Sequence, residues 1–161
     1  MIQIKNATEL QKMRKACAIS AAALKAGGEA IEPGITTAEI DKIIYDFIVR
    51  HGARPNFLHL YGFPATACIS VNDTVIHGIP NKQQQIRPGD IVSIDTGCKI
   101  DGFNGDNACT YACGKIDLEA QRLLDVTKES LHRGIEMACG GNRVGDIGHA
   151  VQSYVEENGF S

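Results

Sequence analysis

Apolar residues in the N-terminal third of the chain recur at helical spacing and predict two helices. The first opens with a capping segment at 6–9, carries apolar residues three or four positions apart up to Leu24, and ends at the glycine pair 27–28. The second opens with a capping box at 36–39 and carries apolar residues up to Ile48 before a glycine ends the pattern. Because cap, period and stop agree, we predict a helix in each segment.

The spacing changes to that of strands in the middle of the chain. Segment 65–80, ATACISVNDTVIHGIP, predicts two short strands around Asn72 and Asp73. Segment 90–114, DIVSIDTGCKIDGFNGDNACTYACG, predicts two more, and we expect the chain to turn back within 97–102. Strands joined by short turns pair antiparallel, so an antiparallel sheet should follow the two helices.

Helical spacing returns after the strands. Asp117 caps a predicted helix that extends to 139, and a last helix is expected at about 144–157. The apolar residues that share one side of the first of these helices are Leu124, Leu131, Ile135 and Ala138.

When the sequence is aligned with itself at a shift of 107 residues, its C-terminal part matches its N-terminal part. The positions that match at this shift include Leu24 with Leu131, Gly27 with Gly134, Gly34 with Gly141, Ile40 with Ile147, Ile44 with Val151 and Gly52 with Gly159. Amphipathic helices alone could produce several of these matches, but the paired glycines favour an internal duplication. The first copy would be 1–115, with helices and strands, and the second, 116–161, would contain helices alone.

Composition narrows the class of protein. The 161 residues are 43% hydrophobic and 22% charged, which is typical of a soluble globular domain. The net charge of −3 argues against a nucleic-acid partner or an anionic membrane surface, and the sequence shows neither a signal peptide nor an apolar run of ~18 residues. Six scattered cysteines without a CxxC pair favour reduced thiols over disulfides. We therefore expect a cytoplasmic protein.

Two acidic residues of the strand segments are the candidates for metal chemistry. Asp95 ends the apolar run IVSID, and Asp106 lies on the returning strand. Carboxylates that face each other across antiparallel strands need a proton or a cation between them, and hard oxygen ligands suit divalent ions such as manganese or iron. Spacing alone leaves open that both are turn aspartates beside glycines. His77 follows an apolar strand, where a lone histidine is more often a structural hydrogen-bonding group than a catalyst.

Two segments in combination carry a family signature, ACISVNDTVIHGIP at 67–80 and RPGDIVSIDTGCKIDGFNGD at 87–106. Their order of strand, HGIP histidine and two aspartates resembles the type I methionine aminopeptidases. The opening helix, the PGITTAEID segment and the closing SYVEENGFS are also similar to that family, so the resemblance covers essentially the whole chain. It implies the pita-bread fold, an α+β fold in which two pseudo-symmetric halves place helices on a curved antiparallel sheet, with the second half incomplete here. This implication agrees with the internal duplication.

The resemblance also implies roles for six residues. Asp95 would bind one metal ion through both oxygens, Asp106 would bridge two ions, and His77 would be the non-ligand histidine that donates a hydrogen bond or assists proton transfer. The pocket for the methionine side chain would be lined by Phe57, Phe63 and Cys68. A complete site would hold two divalent ions (manganese, iron, cobalt or zinc). The substrate would be the N-terminal methionine of peptides and nascent proteins, with transient ribosome contact as a further expectation.

The sequence departs from the family pattern around the pocket and at its end. Leu60 stands where the family usually places a pocket tyrosine, while Asn104 and Asn107 replace a histidine and a threonine that commonly flank the second aspartate. The family's remaining ligands, a histidine and two glutamates, lie on C-terminal strands that 1–161 does not contain. We therefore expect a single catalytic-type domain, truncated, with little or no peptidase activity alone and a tendency to associate through its uncovered sheet.

Two other functions stay open. One is a proline-directed relative with the same fold, such as prolidase or aminopeptidase P, against which the short HGIP segment and the lack of a long extra N-terminal domain speak. The other is a non-catalytic pita-bread binding module. Intact Asp95, Asp106 and His77 count against that second alternative, because a site without a function should drift.

Overall fold

The computed structural model describes residues 3–161 and divides the chain into two compact units, Met1–Lys115 and Ile116–Ser161. The first unit begins with helices α1 (Ala7–Glu29) and α2 (Thr37–Arg50). Both begin with the predicted capping boxes. In the first of these, the Glu9 N–H donates to Asn6 Oδ1 at 2.9 Å and the Asn6 N–H donates to the Glu9 carboxylate at 2.8 Å. These reciprocal bonds satisfy two amide groups that a helix start leaves unpaired, so the two predicted helices are confirmed.

The sheet of the first unit has four antiparallel strands. Their bounds are β1 (Arg54–Pro55), β2 (Ala67–Val71), β3 (Ile91–Ile100) and β4 (Phe103–Ala112). Strand β4 pairs along the whole length of β3, whereas β2 and β1 pair with successive segments of β3. The predicted α+β class, with helices on an antiparallel sheet, is therefore confirmed.

One detail of the strand prediction is wrong. Only one strand forms in 65–80, because Asn72 adopts a positive φ of 52° and its side-chain amide bonds to Asp90 and to the N–H of Ile91, which ends β2. The turn between β3 and β4 is Asp101-Gly102, which lies within 97–102 as predicted. Both turn residues have positive φ (52° and 85°), as the two-residue turns that fit the twist of a hairpin require.

Helices α1 and α2 cover one face of this sheet, and the other, here called the uncovered face, carries no helix of this unit. The residues of β3 that face the helices are all fully buried: Val92, Ile94, Thr96 and Cys98. On this face the Ser20 hydroxyl of α1 donates to the carbonyl of Thr96 at 3.0 Å. Helix α1 approaches β4 so closely that a Cβ on Gly105 would lie 2.3 Å from the carbonyl oxygen of Ala16. Because side chains alternate along a strand, Asp95 points to the uncovered face.

The second unit is a pair of helices, α3 (Leu118–Glu136) and α4 (Val144–Glu157). The Asp117 side chain caps α3 as predicted, accepting the N–H of Ala120 at 2.7 Å, but the helix ends three residues before the expected 139. The bounds predicted for α4 are confirmed. Within residues 3–161, no helix combines the length and the apolar character that crossing a bilayer requires.

The buried side of α3 differs from the one that apolar periodicity indicates. Leu131 and Ile135 are each 58% exposed, whereas the buried residues are Val126, Ser130 and Gly134. These three follow each other at intervals of four and include two small residues, which lets the backbones of α3 and α4 come close together. Close backbone approach, rather than the largest apolar side chains, therefore selects the contact face.

The two helix pairs contain the same internal contact at positions 107 residues apart. A Cβ on Gly27 would lie 2.7 Å from Ile44 Cδ1, and a Cβ on Gly134 would lie 2.8 Å from Val151 Cγ2. Glycines with positive φ also correspond at this shift: Gly34 (96°) with Gly141 (100°), and Gly52 (73°) with Gly159 (78°). Sequence and contact geometry thus support the interpretation of the repeat as a duplication.

Candidate active site

Strand register brings the two candidate metal ligands together. In the β3–β4 ladder Asp95 lies opposite Ala108, and Asp106 lies opposite Gly97. Residues opposite each other or two positions apart share a face, so the two aspartates are diagonal neighbours on the uncovered face. Their carboxyl groups are within hydrogen-bonding reach of each other. The alternative that both are separate turn residues is excluded, because each lies inside a ten-residue strand.

The proximity of the two carboxyl groups perturbs their ionisation. Burial raises the pKa of Asp95, and the charge and hydrogen bond of Asp106 raise it further, while His77 opposes the shift. Two carboxylates at this distance repel each other unless a proton or a cation lies between them. The pair is therefore chemically suited to a hard divalent cation.

Cys68 lies beside this pair on β2. In the β2–β3 ladder it is directly opposite Asp95, so its side chain emerges on the same face. Burial raises the pKa of its thiol to about 11, with further contributions from the charges of Asp95, Asp106 and Asp41. The thiol is consequently protonated at neutral pH and acts as a soft, neutral wall rather than as a thiolate ligand or nucleophile. All six cysteines are free thiols, as expected from their spacing.

His77 reaches the same place from a loop that leaves β2 and returns to it. Its φ of 57° is in the left-handed region, which is uncommon for a residue with a side chain. The next residue, Gly78, is held against β2: a Cβ there would lie 2.1 Å from the carbonyl oxygen of Ile69. Only glycine fits that approach, so the glycine of HGIP places the histidine before it.

A cavity of about 540 Å³ opens beside the two carboxylates, a size ordinary for small-molecule and side-chain pockets. All six residues that the resemblance singles out line it: Phe57, Phe63, Cys68, His77, Asp95 and Asp106. They come from β2, β3, β4 and two loops, and only the strand pairing brings them to one place. Each of the six keeps the role assigned to it as a prediction.

Other lining residues carry a weaker sequence signal. Leu60, Tyr61 and Ile79 also line the cavity. Tyr61 lies in a 3-10 turn, Leu60–Gly62, with a positive φ of 49° and a fully exposed side chain. Leu60, at the position of the expected pocket tyrosine, keeps the wall apolar. Ile79 could have been found from its place in the HGIP motif.

The two asparagine departures lie outside the cavity. Asn107 is paired with Thr96 in the β3–β4 register and faces the helices, behind Asp106. Its Nδ2 atom and Thr96 Oγ1 are buried without a hydrogen-bond partner among the described residues. Asn104 is exposed opposite Lys99. Neither asparagine changes the carboxylate pair directly.

The metal-binding capacity of the described chain is partial. Among residues 3–161, histidine, cysteine and acidic side chains form no cluster of three or more arranged to hold a metal ion. Asp95 and Asp106 therefore fit a divalent cation as two of its ligands and leave the rest of its coordination shell to other groups.

Comparison with known proteins places this site in a family. The model of metallopeptidase family M24 matches residues 11–161. The methionine aminopeptidase of Clostridium perfringens is 50% identical over 161 residues, which are 100% of this chain and 64% of that protein. Methionine aminopeptidase 1 of Bacillus subtilis is 44% identical with the same coverage. The chain thus spans 64% of the length of these relatives.

Solved structures agree. The crystal structure of methionine aminopeptidase from Thermotoga maritima has a TM-score of 0.95 at 37% identity, covering 99% of this chain and 64% of that one. Prolidase from Pyrococcus furiosus, at 22% identity and a TM-score of 0.83, shares the fold alone. The predicted resemblance and pita-bread fold are confirmed, and the chain belongs to metallopeptidase family M24.

Proposed function

We propose that this chain is the greater part of a methionine aminopeptidase, which removes the N-terminal methionine from peptides and nascent proteins in the cytoplasm. The observation that carries the proposal is the juxtaposition of Asp95 and Asp106 in the lining of a cavity with apolar walls. In this proposal 1–161 is a single catalytic-type domain, of which 1–115 is the first half and 116–161 supplies helices of the second.

The lining of the cavity supports methionine as the bound side chain. Phe57, Phe63 and the protonated thiol of Cys68 offer a soft, apolar wall, which suits an unbranched thioether. A charged side chain would be disfavoured there, because the carboxylates of Asp95 and Asp106 repel acids and the aromatic walls solvate no ion well. The free amino end of the peptide would lie toward the carboxylates.

Each polar residue of the cavity has one task in the proposed reaction. Asp95 and Asp106 would hold divalent ions, two in a complete site, with manganese, iron, cobalt and zinc as candidates. Such ions supply Lewis acidity that activates water and polarises the scissile carbonyl. His77, which is no ligand in this scheme, would donate a hydrogen bond at the scissile amide or pass on a proton.

The isolated chain should be a poor catalyst. The described residues bring together two carboxylates and no third acidic, histidine or cysteine ligand. We expect weak metal binding and little or no hydrolysis of methionyl peptides, because an incomplete shell neither holds nor tunes the ion. Association with further protein, transient contact with the ribosome included, is part of the proposal.

Metal titration of the purified chain tests the role of the carboxylates. Calorimetric titration with Mn²⁺ and Co²⁺ should show binding that Asp95→Asn or Asp106→Asn abolishes. The matched control is Asp101→Asn in the β3–β4 turn, an exposed aspartate paired with Lys15 at 2.7 Å, which should leave binding unchanged. Binding that survives both site substitutions, or no binding by the parent chain, would contradict the proposed metal site.

Peptide substrates separate the remaining alternatives. Methionyl-alanyl and alanyl-prolyl peptides are assayed with Mn²⁺ and two proteins. One is this chain by itself, and the other is this chain fused to the part of the Clostridium perfringens relative that it does not match. Turnover of the methionyl peptide by the joined protein supports the proposal, and preference for the prolyl peptide favours a prolidase-like enzyme. Metal binding without turnover of either peptide favours a binding module. Steady turnover by the chain alone would refute the expected inactivity.

A further inference from the structure

We propose that Ser70 is a positioning residue that holds His77 at the cavity by fixing Gly78. The inference concerns a contact inside the first unit, and its catalytic meaning rests on the proposed function. Ser70 lies on β2, two residues after Cys68, and its side chain is 4% exposed.

The loop that carries His77 is restrained at its two ends. At the start, the Asn72 side chain donates to Asp90 at 2.9 Å and accepts the N–H of Ile91 at 3.0 Å. Between the ends the loop is exposed: Val75 and Ile76 are 86% and 66% accessible. A loop held only at its ends transmits any release of one end to the residues beside it.

His77 has no hydrogen bond of its own within residues 3–161, so its placement depends on its neighbours. Its left-handed φ of 57° is uncommon for a residue with a side chain and costs free energy that neighbouring contacts must offset. The imposed constraint comes from the adjacent Gly78. Release of Gly78 would let the His77 backbone relax toward an ordinary region.

Gly78 is bound to β2 by two hydrogen bonds of different kinds. Its carbonyl accepts the N–H of Ile69 at 2.9 Å, a backbone contact that any residue on β2 could make. Its N–H donates to Ser70 Oγ at 3.1 Å, and this contact depends on the side chain. Removing the hydroxyl leaves one of the two hydrogen bonds. The half-buried N–H of Gly78 then has no partner.

A neighbouring hydroxyl provides a matched comparison. Ser93 lies directly opposite Ser70 in the β2–β3 register and is on the same face of the sheet. Its Oγ is 2.7 Å from Thr110 Oγ1, so it takes no part in holding the loop. Ser93→Ala therefore removes a hydroxyl from the same face of the sheet and leaves the hydrogen bond between Ser70 and Gly78 intact.

Nuclear magnetic resonance of the chain labelled with ¹³C in its histidine rings tests the assignment. The five histidines give separable ring C–H resonances, and His77→Gln identifies the one that belongs to His77. In Ser70→Ala we expect this resonance to move toward the position of a free histidine or to broaden by exchange. Ser70→Thr, which retains the hydroxyl, should restore the parent position, and Ser93→Ala should not move it.

An unchanged His77 resonance in Ser70→Ala overturns the proposal, as does an equal displacement in Ser93→Ala. Displacement of all five resonances in Ser70→Ala, with the same loss of dispersion in Ser70→Thr, would show a general loosening of the fold and also overturn it. The readout needs neither metal nor peptidase activity. Failure of the proposed function, seen in the metal titration, is thus distinguishable from failure of this contact.

Discussion

The carboxylate of Asp41 joins helix α2 to the start of β2, and its replacement by alanine should weaken the attachment of the strand that carries Cys68. Asp41 Oδ1 accepts the N–H groups of Thr66 at 2.9 Å and of Ala67 at 2.8 Å. Thr66 is 1% and Ala67 0% exposed, so both donors would lose their acceptor in a place largely shielded from water. Asp41→Ala leaves both donors unpaired, whereas Asp41→Asn retains an oxygen in the same place.

The expected magnitude follows from these two donors. An orphaned buried donor costs about 1–3 kcal/mol, so Asp41→Ala should lower the free energy of unfolding by about 2–6 kcal/mol. This is a large share of the ~5–15 kcal/mol by which folded domains are stable. It corresponds to a fall in Tm of roughly 4–24 °C for a protein of this size. Asp41→Asn should be no less stable than the parent, because it also removes a half-buried charge.

Thermal and urea unfolding of the three proteins across pH provide the assay. Burial raises the pKa of Asp41 against the opposing effect of its two hydrogen bonds. A raised folded-state pKa means that the acid favours folding below its unfolded pKa of ~3.9 and loses that advantage as pH rises through the folded value. The gain of Asp41→Asn over the parent should therefore be absent near pH 3.5 and present at pH 7. Equal stability of Asp41→Ala and Asp41→Asn at pH 7 would refute the reasoning.

Four further substitutions have directions that the structure determines. Asp95→Asn should raise the Tm of the metal-free chain at pH 7, because burial and Asp106 raise the pKa of Asp95, and the gain should vanish below about pH 4; an unchanged Tm would contradict the close approach of the carboxyls. Gly105→Ala should cost about 3 kcal/mol or more in urea unfolding, since its Cβ would meet the backbone of α1 at 2.3 Å. Gly148→Ala, in α4 with nothing within 4 Å, should gain about 1 kcal/mol from helix propensity. Gly134→Ala, whose Cβ would lie 2.8 Å from a valine of α4, should be less stable than Gly148→Ala by about 1–3 kcal/mol; the reverse order would refute the helix contact.

Local interactions explain why most helix bounds could be read from the chain. The capping boxes at Asn6 and Thr36 and the cap at Asp117 act within three residues, so their partners are adjacent in the sequence. The Asp101-Gly102 turn is equally local and its dipeptide is a strong hairpin signal. The position of that turn was therefore available in the sequence, unlike the early end of β2.

Contacts between distant segments explain where the predictions from residue spacing were wrong. The side of α3 that packs is chosen by close approach to α4 at Gly134, and no window of α3 alone contains that information. Likewise β2 ends at Asn72 because of Asp90, which lies eighteen residues further along the chain. Positions that break the local pattern are those where another element supplies the partner.

The sequence by itself determined the helices, the hairpin of β3 and β4, the duplication and the family, because these depend on spacing and on short motifs. Tertiary structure alone decided that Asp95 and Asp106 share a face, since one step of register would have sent them to opposite sides of the sheet. It also decided that His77 meets them, because a glycine packed on β2 returns the loop to the cavity. The sequence specifies each side chain, but the pairing of the strands decides which side chains lie close together.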